Sequence, residues 1–134
     1  MKLTAISLTA IAAVAFVAPA FAHHSFAMFD QDKTVTLKGT VNEFEWSNPH
    51  VWLRVMVVDQ TTGKPVQYAF EMGSVRRSML DGWKSDSVRP GDAITVRMHP
   101  LKDGSRGGMY LSAALASGKS FGRTGPAVGL ADPQ

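Results

Sequence analysis

Apolar positions in this chain alternate through most of its length. In "TVTLKGTV" Val35, Leu37 and Val41 share one parity around Gly39, and Phe44 and Trp46 then take the opposite one. A change of phase inside one extended run predicts a long first strand with a bulge near Asn42-Glu43. "HVWLRVMVV" sets Val51, Leu53, Val55 and Val57 on one face and His50, Trp52, Arg54 and Met56 on the other. "DQTTGK" reads as a hairpin turn with Gly63 in the left-handed position. "PVQYAFEM" follows as a third strand that aligns Val66, Tyr68, Phe70 and Met72.

The period then lengthens. Ser74 stands where an N-cap belongs, and Val75, Met79 and Trp83 recur at i, i+4 and i+8. This predicts a short amphipathic helix with Arg76, Arg77 and Lys84 toward water and a last turn weakened by Gly82. Alternation returns after "RPGD", a tight turn. "AITVRMH" directs Ile94, Val96 and Met98 inward and Thr95, Arg97 and His99 outward. "KDGSRGG" forms a hairpin, and "MYLSAAL" supplies a last strand through Met109, Leu111, Ala113 and Leu115. The fold class is therefore mainly β: a small five-stranded OB-like Greek-key barrel with one short helix between strands three and four. A plain β-sandwich is the alternative, and a single central helix argues against it.

The two ends break the pattern. Residues 1–22 read as a secretory signal peptide: Lys2, an apolar run from about Ala5 to Val17, and small residues at Ala20 and Ala22. A membrane anchor needs about 20 apolar residues, and this run is shorter and is followed by Pro19. No span is expected after cleavage, and the expected location is the periplasm. Cleavage after Ala20 is a competing site that would leave Phe21-Ala22 ahead of the histidines. The remaining chain divides into an N-terminal segment (23–33), the barrel domain (34–117) and a Gly/Pro-rich flexible tail (118–134). With 14 Lys and Arg against 11 Asp and Glu, the formal charge is only +3, and Lys2 leaves with the signal. There is no cysteine, which excludes disulfides, thiolate metal sites and thiol redox chemistry.

"AHHSFAMFD", "VTLKGTVNEFEWSNPHVW", "YAFEMGS", "DGWKSDSVRPGD" and "KDGSRGG" together resemble an uncharacterised family of exported bacterial proteins, a domain of unknown function. The resemblance runs to about Ser117. It implies export and a single domain, and it brings no catalytic residue.

Candidate chemistry centres on the four histidines. Cleavage after Ala22 makes His23 the first residue, so its α-amino group and imidazole can chelate one ion together. Reference titration near ~7.7–8.0 for the amine and ~6.5 for imidazole leaves both able to shed protons at neutral pH. A third nitrogen completes a T-shaped histidine brace, a donor set that suits copper(II). His50, leaving the Asn48-Pro49 turn, is the favoured third ligand, with His24 and His99 in reserve. His24 at mature position two also allows a weaker chelate through the amino nitrogen and its own amide. The plain alternatives are a solvated N-terminus, a His50 that hydrogen-bonds its turn, and an exposed edge histidine at position 99. Methionine thioethers suit copper(I), but of the mature methionines only Met28 falls outside the core pattern.

No nucleophile triad, paired carboxylates or phosphate-cradling loop stands out, and nothing beside the histidines argues for turnover. OB barrels often bind single strands through aromatic and basic residues, but the slight charge surplus and export speak against nucleic acid. The expectation is an exported binding protein that takes copper for storage, delivery or sensing. The alternative is a metal-free module that binds an unidentified periplasmic protein or small ligand on a Trp46/Trp52 face.

Overall fold

The computed structural model describes residues 26–122; the expected signal peptide, His23, His24 and most of the C-terminal segment lie outside that range. Six strands and one α-helix follow in the order β1 (Val35–Glu45), β2 (Trp52–Val58), β3 (Pro65–Glu71), α1 (Val75–Leu80), β4 (Ala93–Pro100), β5 (Gly107–Leu115) and β6 (Ser120–Gly122). Hydrogen bonding runs β3-β2-β1-β4-β5-β6, and a further β3–β5 pairing closes the first five strands into a barrel. That closing pair is parallel, through Ala69–Gly107, Phe70–Gly108 and Glu71–Met109, whereas the other pairs are antiparallel. The expected barrel, with its helix between β3 and β4, is the observed one.

Closure depends on two adjacent glycines. A Cβ on Gly107 would collide with the Ala69 carbonyl of β3, and one on Gly108 with the His99 carbonyl of β4. Only hydrogen at both positions lets β5 wedge between its two partners.

The bulge expected in β1 is present, as a register shift between Val41 and Glu43 against β2. It turns Phe44 toward the interior, where Leu53 is its cross-strand partner. The core gathers Val41, Val51, Leu53, Val55, Phe70, Ile94, Val96 and Met98, all nearly inaccessible. A second bulge interrupts β5. Arg97 pairs with Ser112 but Met98 pairs with Tyr110, which leaves Leu111 as the extra residue. The inward set of β5 is therefore Tyr110 and Ala113, both buried, while Met109 and Leu111 are half-buried on the other side. The sequence parity had sent Met109 and Leu111 inward, and the inserted residue reverses it.

Ser74 caps α1 as expected, its side chain accepting from the Arg77 N–H at 3.3 Å. The helix is shorter than its apolar spacing indicates. It ends at Leu80, and Gly82 at φ 93° turns the chain. Ser78, not Met79, is its buried residue, and Met79 is 60 % exposed. Trp83 reaches the core from beyond that turn. It stacks on Phe121 at 3.9 Å, meets Phe44 at 5.3 Å and Tyr110 at 5.8 Å, and donates from Nε1 to the Tyr110 hydroxyl at 3.0 Å. Phe121 belongs to β6, so the first residues of the expected flexible tail are instead part of the sheet and the core.

Residues 26–33 are docked rather than loose. Phe29 is buried and bridges to Leu101, the Asp30 N–H donates to the Pro100 carbonyl at 2.8 Å, and the Lys102 N–H donates to the Met28 carbonyl at 3.0 Å. Asp30 and Lys33 pair at 2.8 Å, which lowers the titration of the carboxyl and raises that of the amine. Among the described residues no helix is long and apolar enough to cross a membrane.

Candidate functional site

An open cleft of about 580 Å³ lies on the outer surface where the N-terminal segment, α1 and the ends of β3 and β5 converge. Its volume is within the ~300–1,000 Å³ range of small-ligand sites. Phe26 and Phe29 line it from the N-terminal segment, His50 from the β1–β2 connection, and Glu71, Met72 and Gly73 from the end of β3. Arg77 and Asp81 come from α1 and its cap, Arg97 from β4, and Met109 to Ser112 from β5.

The register explains why these residues meet. Glu45 pairs with Trp52, Trp52 with Glu71, Glu71 with Met109, and Met109 with His99. Paired residues share a face, so one row of outward side chains crosses all five barrel strands. Glu71 sits in the middle of the row between Trp52 and Met109, and its side chain is only 11 % exposed. The β5 bulge is what makes Met109 and Leu111 part of the cleft wall.

His50 is held from its Nδ1 side. That nitrogen is 3.2 Å from the Met72 carbonyl oxygen and 3.5 Å from Glu71 Oε1. Both neighbours are acceptors, so Nδ1 is the donor, and in the neutral ring the lone pair sits on Nε2. The backbone beside it is tied down as well. The Val51 N–H donates to the Gly73 carbonyl at 3.0 Å, the Met72 N–H donates to the Val51 carbonyl at 3.0 Å, and Asn48 Oδ1 accepts from the Val75 N–H at 3.0 Å. The Asn48-Pro49 bond is cis. Across the cleft, Arg77 pairs with Asp81 at 2.9 Å.

The remaining candidates scatter. His99 Nδ1 donates to the Lys33 carbonyl at 2.6 Å. The residue stands two strands from Glu71, roughly 10 Å at the usual strand spacing, and does not line the cleft. Trp46 and Trp52 do not form one face. Trp46 packs against the core, 5.6 Å from Phe44. Trp52 faces outward, with the Arg54 guanidinium 6.0 Å from its ring centre and that arginine held by Glu43 and Glu45 at 3.2 Å each. His23 and His24 lie outside the described residues. Within those residues, no group of three or more histidine and carboxylate side chains is gathered closely enough to hold a metal ion. Of the residues lining the cleft, sequence reasoning had singled out His50 alone as a site candidate; Glu71 and Met109 are among those it missed.

A family model matches residues 10–112, most of the chain. The chain belongs to DUF6152, a family of unknown function. No curated protein matches it. Among solved structures it is similar to Rim1, the mitochondrial single-stranded DNA binding protein of S. cerevisiae. The identity is 15 %, over 63 % of this chain and 94 % of that one, with a TM-score of 0.46.

Proposed function

We propose that this protein is an exported, periplasmic copper-binding protein whose site forms when signal cleavage after Ala22 makes His23 the N-terminal residue. The α-amino group and imidazole of His23 supply two donors and His50 Nε2 the third. Three nitrogen donors without thiolate suit copper(II). The observation that carries this reading is that Phe26 and His50 line the same cleft. Phe26 is three residues from His23, and three residues of extended chain span about 10 Å. The buried Phe29 anchor and the Asp30 and Lys102 backbone bonds hold the approach to that terminus against the barrel. Fixing His50 through Nδ1 also favours the reading, because a ligating imidazole works best when its other nitrogen is held by an acceptor. Storage, delivery or sensing fits such a site better than turnover.

The test is to express the chain with its signal intact, purify it from the periplasm, confirm the N-terminal residue by mass and titrate copper(II). Tight one-to-one binding that is lost in both His23→Ala and His50→Ala supports the site. Cytoplasmic protein that keeps Met ahead of His23 loses tight binding too, since the amino group is displaced. Equal weak binding in every variant overturns it. That result would favour a second reading, suggested by the size of the cleft: a metal-free module that takes a small ligand or protein there.

A further inference from the structure

We propose that the cleft takes a small organic carboxylate with an apolar tail, its acid group held by Arg97. The inference stands on the cleft alone and is independent of the copper reading. Of the acidic side chains on the cleft wall, Asp81 is taken up by Arg77 at 2.9 Å, and Glu71 is 11 % exposed and faces His50 Nδ1 at 3.5 Å. Arg97 is exposed and enters none of the ion pairs among the described residues. Its cross-strand neighbours are Thr36 and Ser112, neither of them charged. The cleft therefore offers a cation that no carboxylate answers, and Ser112 lines it beside that cation with a hydroxyl able to donate. A planar guanidinium presents two parallel N–H groups to a carboxylate. Glu71 does not compete for this place, because it lies across β5 from Arg97, two strand spacings or roughly 10 Å away. The strand between them supplies apolar surface. Met109 and Leu111 are half-buried there, and Phe26 adds a ring that is 67 % exposed to the same cleft. Single exposed rings are ordinary on a protein surface, but this one lines a concave wall that a tail would cover. An ion without a tail leaves that wall in water, and a neutral apolar molecule leaves Arg97 unanswered, so the occupant carries both.

The experiment titrates octanoate, 1-octanol and acetate into the exported full chain by calorimetry. Octanoate has charge and tail, octanol the tail alone and acetate the charge alone. Octanoate is expected to bind one-to-one and octanol about tenfold more weakly. Acetate should not bind measurably, since each buried methylene is worth roughly fourfold in affinity. Arg97→Gln should weaken octanoate about tenfold, the low end for hydrogen bonds to a charged group. It should leave octanol unchanged, which also shows that the variant is folded. Phe26→Ala should weaken octanoate and octanol by the same factor, because it removes a contact with the tail and none with the acid group. Arg89→Gln, which removes an exposed guanidinium outside the cleft, should bind octanoate as wild type does. Absence of octanoate binding, octanol binding as tightly as octanoate, or an Arg97→Gln protein no weaker for octanoate than Arg89→Gln overturns the proposal. Copper(II) titration of the same wild-type protein keeps the two readings apart. Copper binding without octanoate binding overturns this inference alone, and octanoate binding without copper binding overturns the copper reading alone.

Discussion

Tyr110 directs its ring into the closed cluster around Trp83, whereas its neighbours Met109 and Leu111 face the open cleft beside His50. One strand thus serves two regions built on different terms. In the closed region Trp83, Phe121, Phe44 and Tyr110 interlock, and the indole N–H donates to the phenol oxygen. Burial of large rings dominates there, and the polar side chains are few. In the cleft, a histidine, a shielded carboxylate and an arginine–aspartate pair are held by backbone and register while one side stays open. The closed region stabilises the barrel, and that stability allows the cleft to keep charged groups close together at a cost to local packing.

The comparison is most severely tested at Trp83. It is 1 % exposed and touches three other rings, so Trp83→Ala removes apolar burial and leaves a cavity. The expected loss is about 3–5 kcal/mol, read as a lower midpoint in urea unfolding. An unchanged midpoint would mean that the cluster does not carry the fold. Tyr110→Phe tests the same region through its one polar link. The indole N–H loses its acceptor at 3.0 Å, and a buried donor left alone costs about 1–3 kcal/mol. A pH signature accompanies it. Burial raises the titration of the Tyr110 phenol well above its ordinary value of 10.0. At high pH the unfolded chain loses this proton while the folded one keeps it. The stabilising contribution is therefore complete below pH ~10 and declines as pH rises further. Tyr110→Phe should be less sensitive than wild type to alkaline unfolding, checked by urea midpoints at pH 8 through 11.

These two residues also mark how far the sequence could be read. The strands, the β1 bulge, the Ser74 cap and the turns at Gly63 and Gly91 were legible because alternation, phase change and turn chemistry are local signals. Trp83 was recognised as apolar and inward, but by helical spacing, whereas it arrives through the turn at Gly82. Phe121 stands alone among Gly, Lys and Ser, and only its pairing with β5 reveals it as core. The β5 bulge has no local signature either. "MYLSAAL" alternates acceptably in either phase, and the choice is made by where Met98 and Arg97 find partners on β4. That single displaced residue creates the cleft wall. Glu71 had the right outward parity, and its burial comes from Trp52 and Met109, which are distant in the chain and adjacent in register. His50 was legible as a candidate because a histidine after Asn-Pro is conspicuous, but its acceptors were not.

The smallest effect is expected at Ser78, which reverses the direction of the comparison. Its side chain is 1 % exposed under α1, and among the described residues its hydroxyl is the buried side-chain group without a hydrogen-bond partner. In the cleft, the shielded Glu71 has a neighbour to answer its charge; in the closed region, this hydroxyl has none. Ser78→Ala removes the unanswered group, keeps nearly the same volume and replaces serine with a better helix former. The barrel should gain about 0.5 kcal/mol, measured as a higher urea midpoint with an unchanged slope. A loss of 1 kcal/mol or more would mean that the hydroxyl does find a partner, and that the closed region depends on polar contacts more than its aromatic packing indicates.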